Sequence, residues 1–275
     1  MSRNLPRIAI LGAGSMGGAI LVGLIDSGRA TAGVAVTNRT AAKAEAVRLP
    51  GVDSWALESD PGATATALRD ARVVLIGVKP AMVPDLLRSI AGDLEPDAVV
   101  VSIAAGVTIA TIEAIVSNPV VRTMPNTPSV VRRGVTGLAA GSRVTPDDLA
   151  LVRDLFEAVG AVVELPEDQI DALGTISGSG PAYVYFLIEQ LTATAQRMGF
   201  TEDQARLMVE NTFRGASELL AASEVGPAEL RRRVTSPNGT TMQAIAILES
   251  ANLGTLFDQA TSAALQRTKE LAAGS

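Results

Sequence analysis

A chain of 275 residues is too long for one small core, and its 47% apolar and 19% charged residues give globular composition rather than disorder. The formal charge of −6 supplies no positive field for a nucleic-acid backbone. With no Cys and no His, the chain has no disulfide, no thiolate nucleophile, no zinc site of the usual ligand types and no imidazole acid or base, which removes most hydrolase chemistry.

Met1 to Arg7 lead directly into a strand-like run without a signal-peptide pattern, so a cytoplasmic location is expected. Ile8–Leu11 reads as that strand, and Gly12-Ala13-Gly14-Ser15-Met16-Gly17 separates it from a helical stretch over Gly18 to Ser27. A G-x-G-x-x-G pattern is weak alone, but between a strand and a helix it points to a dinucleotide. Gly12 permits the tight turn, Gly14 lets a pyrophosphate approach the backbone, and Gly17 lets helix and strand pack closely. The N–H groups at the helix start then hold the phosphates. Val34–Thr37 reads as the next strand, followed by Asn38-Arg39-Thr40. NAD-specific sites commonly carry an acid at that point, and none stands there. Asn38 and Arg39 suit a 2′-phosphate instead, so NADPH is the expected cofactor, with NADH tolerated.

Further strands are predicted at Val73–Val78, Ala98–Ser102, Val120–Met124, Val135–Ala140 and Ala161–Glu164. Several are apolar on both faces and alternate with Ala-rich helical stretches, which indicates a doubly wound α/β domain of Rossmann type over residues 1–165. Ligands collect at the carboxyl ends of such strands. Lys79, the small residues Ala104 and Ala105, and Asn126 between two prolines all follow strand ends. Each has a plain alternative: Lys79 as a surface charge, Asn126 as a turn residue. The longest apolar stretch, Ala98 to Val107, is broken by Ser102 and is too short to cross a bilayer.

Beyond Pro166 the strand signal disappears, and residues 166–275 read as an all-α domain. Val184, Leu187, Ile188, Leu191, Ala195 and Met198 follow helical spacing with Gly199 as a stop, and Thr201 with Gln204 forms a capping-box pattern. Another helix carries Leu253, Leu256, Phe257, Ala260, Ala264, Leu265 and Leu271. These stripes are so apolar that part of them is expected to face a partner chain. Ser177-Gly-Ser-Gly-Pro-Ala-Tyr183 is predicted to open a long helix, and Val234 to Thr241 precede a helix over Met242 to Ser250. Such small-residue helix starts suit a carboxylate, or serve as N-caps alone. Arg231-Arg232-Arg233 reads either as an anion site or as a solvated helix end balanced by Glu229 and Glu224.

Taken together, Gly12 to Gly17, Val78-Lys79-Pro80, Ala104 to Thr108, Met124 to Pro128, Ser177 to Tyr183 and Val234 to Thr241 resemble the pyrroline-5-carboxylate reductase family over nearly the whole chain. The last motif is the most specific, and it departs from the usual Ser-Pro-Gly-Gly in having Asn238; Asn tolerates left-handed geometry better than other non-glycine residues. The resemblance implies a Rossmann domain followed by a helical dimerisation domain, which interlocks with a second copy, and such dimers can assemble into decamers. It implies an active site combining the nucleotide domain of one chain with the Ser236–Thr241 loop of the other. It implies NAD(P)H-dependent reduction of Δ1-pyrroline-5-carboxylate to L-proline. The cofactor would be met by Gly12, Gly14, Ser15, Met16, Gly17, Asn38, Arg39, Val78, Lys79, Ala104, Ala105 and Asn126. Substrate would be met by Ser236, Asn238, Gly239, Thr240 and Thr241, with Thr241 and Lys79 as candidate catalytic residues and no metal.

Two other readings compete. One is a β-hydroxyacid dehydrogenase or another imine reductase with the same two-domain plan; the hydroxyacid enzymes rely on a lysine from the first helix of the second domain, but no Lys follows Tyr183 until Lys269. A dinucleotide-sensing module without chemistry would bind NADPH and leave it unconsumed.

Overall fold

The computed structural model describes residues 4–30 and 32–272. The chain divides into two compact units: the described residues up to Pro181 together with those from Ala264 onward, and Ala182–Ala263.

The first unit is built on eight strands: β1 (Ile8–Leu11), β2 (Val34–Asn38), β3 (Val52–Ala56), β4 (Val73–Ile76), β5 (Val99–Ser102), β6 (Val120–Met124), β7 (Gly134–Ala140) and β8 (Gly160–Glu164). They form one sheet in the order β3-β2-β1-β4-β5-β6-β7-β8. All neighbours are parallel except β6 and β7, which run antiparallel. Successive residues of a strand face opposite sides, and two apolar clusters result. Ile8, Ile10, Val34, Val36, Val73 and Leu75 join Ile20, Leu21 and Leu24 of α1 (Ser15–Asp26) and Val152, Leu155 and Phe156 of α6 (Pro146–Glu157). Ala9, Leu11, Val74, Ile76 and Val100 join the other face. There they meet Leu68 of α3 (Ala63–Leu68), Val83, Leu87 and Ile90 of α4 (Val83–Ile90), and Ile112 of α5 (Ile109–Glu113). Each of the Val, Leu, Ile and Phe side chains among them, fully buried, contributes about 1.5–3 kcal/mol. The order reverses between β1 and β4, the switch point at which open α/β sheets bind ligands.

Several sequence expectations need correction. The strand β3 is absent from the sequence reading: Val52-Asp-Ser-Trp-Ala56 is half-exposed and polar in its middle, because it is an edge strand whose one neighbour among the described residues is β2. The Val73–Val78 run stops at Ile76, because Gly77 and Val78 turn out of the ladder. The first helix begins at Ser15 rather than Gly18, so the third glycine of the motif lies inside its first turn. The Ser177–Tyr183 segment does not open a helix. The chain is already helical through α7 (Glu167–Leu173) and a wide turn over Gly174–Gly178, where the Ser179 N–H donates to the Gly174 carbonyl at 2.9 Å, before α8 (Gly180–Arg197) continues it. The Ser177 hydroxyl is spent on the Leu173 carbonyl.

The second unit contains the rest of α8, then α9 (Glu202–Ala221), α10 (Pro227–Arg233), α11 (Thr240–Ser250) and the first half of α12 (Leu253–Ala272). Thr201 and Gln204 make the expected capping box at the start of α9, and Gly199 before it has φ +97°. Among the described residues of this unit only Ala195, Ala205 and Val209 are buried apolar side chains. Tyr185, Phe186, Leu191, Leu207, Ile247 and Leu256 stand exposed on single helices.

Candidate active site

The turn after β1 sets the geometry of the candidate residues in the first unit. Gly12 has φ +93°, and its N–H donates to the Thr37 carbonyl at 2.8 Å, while the Gly77 N–H donates to the Leu11 carbonyl at 2.9 Å. The end of β1 is thus tied to β2 on one side and to β4 on the other, with the Gly12 turn rising between them. A Cβ on Gly77 would stand 2.3 Å from the Gly12 carbonyl oxygen, and one on Gly17 would stand 2.8 Å from the same atom. Only glycine permits this approach. By contrast, Gly14 faces open space. Among the described residues no side chain caps the first turn of α1, and no acid lies in it, so its N–H groups and positive dipole end are available to an anion. This fits the pyrophosphate of a dinucleotide. Ser15 is exposed and Met16 half-buried at the same turn.

At the tip of β2, Asn38 is buried and its side-chain amide leans toward the Lys43 carbonyl at 3.4 Å. Arg39 is exposed, and no ion pair to it occurs among the described residues. Glu58, which sequence reasoning passed over, arrives at the same tip from the missed strand: its carboxylate accepts the Ala41 N–H at 2.7 Å. Gly77 was also passed over, because it reads as part of an apolar strand.

Three further strand tips lie on the same edge of the sheet. Val78 is half-buried and packs against the second apolar cluster, while Lys79 is exposed and leads into a short turn over Pro80–Met82. Ala104 is buried, with its N–H donating to the Ser102 hydroxyl at 3.3 Å, and Ala105 is exposed. Asn126 is buried and braced from both ends: its Oδ1 accepts the Val135 N–H at 2.8 Å and its Nδ2 donates to the Ser177 carbonyl at 2.9 Å. The parallel sheet thus brings Gly12 to Gly17, Asn38, Arg39, Val78, Lys79, Ala104, Ala105 and Asn126 to one edge.

The second unit carries the other candidate residues in one turn. The Gly239 N–H donates to the Ser236 carbonyl at 3.0 Å, and Asn238 has φ +59°, the signature of a type II turn with proline in its second position. A Cβ on Gly239 would stand 2.5 Å from the Ser236 hydroxyl, so Ser236 folds back over the turn. Gly239 is the N-cap of α11, no side chain caps it, and Thr240 and Thr241 occupy its first exposed turn. Free N–H groups, two hydroxyls and a positive dipole end make a receptor for a carboxylate. The arginines nearby are already used. Arg232 and Arg233 bind Glu229 and hold its carboxyl down to about 2, and Arg231 pairs with Glu249 at 2.8 Å. The solvated-helix-end reading holds, with Glu249 in the place expected of Glu224.

Comparison with known proteins places these observations. Residues 167–271 match a family model described as pyrroline-5-carboxylate reductase dimerisation, and residues 7–106 match one described as NADP oxidoreductase, coenzyme F420-dependent. The chain is 39% identical over 272 residues to the pyrroline-5-carboxylate reductase of Pseudomonas aeruginosa, covering 98% of each. A solved pyrroline-5-carboxylate reductase from Coxiella burnetii is 38% identical with a TM-score of 0.87, covering 98% of this chain and 99% of that one. The Plasmodium falciparum pyrroline carboxylate reductase, solved with NADP bound, shares the fold at 24% identity and a TM-score of 0.82, covering 98% of this chain and 99% of that one.

Proposed function

Because the chain belongs to the pyrroline-5-carboxylate reductase family, we propose that it reduces the C=N bond of Δ1-pyrroline-5-carboxylate to give L-proline. The reading is carried by full-length similarity to that reductase, across both units of the chain. A nicotinamide cofactor, when bound, supplies the hydride.

The protein's task is to bind, orient and neutralise. Residues 1–165 are assigned to the dinucleotide and residues 166–275 to substrate binding and dimerisation. Gly12 and Gly17 shape the turn, Gly14 leaves its outer side clear, and the N–H groups of Ser15 and Met16 hold the pyrophosphate. Asn38 and Arg39 serve the adenosine ribose. Val78, Lys79, Ala104 and Ala105 leave flat space at the nicotinamide end, with Asn126 bracing the loop behind it. Ser236, Asn238, Gly239 and Thr240 grip the substrate carboxylate, and the Thr241 hydroxyl hydrogen-bonds the ring nitrogen. A cyclic imine is basic enough to arrive protonated, so reduction needs no strong acid from the protein, and a chain without histidine suffices. Lys79 contributes positive charge near the reacting end.

The exposed apolar helices of the second unit are covered by a second copy, making a homodimer, and the enzyme works in the cytoplasm. Sedimentation separates a dimer from a decamer. The deciding assay mixes purified protein, NADPH and pyrroline-5-carboxylate and follows the reduced-nicotinamide absorbance, then repeats the run with NADH. Loss of absorbance with proline formed is expected. Cofactor bound without being consumed would leave a sensing module instead.

A further inference from the structure

The tip of β2 holds two opposite charges, Arg39 and Glu58, with no ion pair between them among the described residues. The Leu57 N–H donates to the Asn38 carbonyl at 2.9 Å and the Glu58 N–H to the Arg39 carbonyl at 3.2 Å. The edge strand is thereby prolonged beside β2 past Ala56, and it delivers an acid where the local sequence has none. The Glu58 carboxylate then crosses the Arg39-Thr40 turn to accept the Ala41 N–H at 2.7 Å. Arg39 is exposed at the same turn, and among the described residues no ion pair joins it to Glu58 or to any other acid.

We propose that Glu58, set against Arg39, decides how the protein divides itself between NADH and NADPH. The inference rests on the cofactor reading above, which puts the adenosine ribose at the end of β2. An ionised carboxylate only accepts hydrogen bonds, so it matches the 2′-hydroxyl of NADH, which can donate one. The 2′-phosphate of NADPH has only acceptors and carries about −1.5 to −2 charge. It must take the Ala41 N–H from Glu58 or lie beside a second negative group. Arg39 acts in the other sense, as a charged partner for the phosphate. An acid reaching this turn from β3 thus plays the part that NAD-specific sites give to a residue at the end of β2.

The test is a binding titration of NADPH and NADH, followed by nicotinamide fluorescence with no imine present, on the parent, Glu58→Gln and Arg39→Ala proteins. Glu58→Gln retains an oxygen for the Ala41 N–H, removes the charge and puts an amide N–H donor in place of the second oxygen. It is expected to tighten NADPH about ten-fold while NADH changes less than about three-fold, an effect that shrinks as salt is raised. Arg39→Ala is expected to shift the ratio the opposite way. Equal changes in both affinities would make Glu58 a mere brace of the turn and overturn the proposal. An unchanged ratio with both dinucleotides bound overturns it too, and leaves the reductase reading standing. If the parent binds neither dinucleotide, the cofactor reading fails and this inference falls with it.

Discussion

Asn238 stands at φ +59° in a turn whose neighbours are proline and glycine. A β-branched residue there pays the left-handed penalty, so Asn238→Val should cost about 1–2 kcal/mol and raise the KM for the imine, with dinucleotide affinity unchanged. Asn238→Gly, which relaxes the backbone, should stay within about 1 kcal/mol of the parent. Thermal melts and steady-state kinetics separate the two outcomes. Thr241 is exposed and its hydroxyl has no protein partner among the described residues. Thr241→Ala should therefore leave the melting temperature alone and lower kcat about ten-fold or more. An unchanged kcat would take Thr241 out of the reaction. The residue types at both positions were legible in the sequence. Glu58 and Gly77 were not, since their significance comes from atoms contributed by β2 and by the β1 turn.

At the scale of elements, the turns that follow β1 and β4 lie against each other only because both Gly12 and Gly77 lack a side chain. Gly77→Ala would bring a methyl to 2.3 Å from the Gly12 carbonyl oxygen. The turn must then shift, at a cost of about 1–3 kcal/mol, and dinucleotide affinity should fall by about an order of magnitude or more. Titration with NADPH checks this directly. The start of α6 offers a pH handle. Burial pushes the Asp148 carboxyl upward, but hydrogen bonds from Arg72 and from the Thr145 hydroxyl and N–H, with the charge of Arg72, outweigh it and hold the group below its ordinary 3.8. A lowered folded value means that its stabilisation is complete above the ordinary value and vanishes as pH falls through the folded one. Asp148→Asn should lose about 1–3 kcal/mol at neutral pH and converge on the parent in strong acid, a difference visible in melting temperature against pH. The strands of the centre of the sheet were readable because they are apolar on both faces. The edge strand β3 escaped because Asp53 and Ser54 interrupt its apolar residues, whereas the other edge strand, β8, keeps Ala161, Val162 and Val163 together.

At the scale of the molecule, a helical unit with almost no buried apolar side chains cannot be stable alone. Ile247 is 72% exposed and Phe186 is 59% exposed in a single chain. On a true surface, Ile247→Asp or Phe186→Asp would change stability by no more than about 0.5 kcal/mol. In a homodimer either places a charge on a covered apolar face, so the expected result is a smaller species on gel filtration and a melting temperature several degrees lower. The parent's melting temperature should also rise with protein concentration. A parent that elutes as a monomer and tolerates both changes would remove the dimer from the proposal.

Sequence alone determined what is local: the G-x-G-x-x-G turn between strand and helix, the capping box at Thr201, the helical periodicity of the second half, and a turn at Ser236–Gly239 that accepts a left-handed residue. Each depends on neighbours a few positions away, so the chain order carries it. Tertiary structure decided what needs distant segments to meet. The sheet order that aligns five strand tips, the contact between Gly12 and Gly77, the double brace on Asn126 and the arrival of Glu58 beside Arg39 all join residues far apart in the chain. No periodicity encodes such meetings; they arise when long-range packing fixes which strands are neighbours.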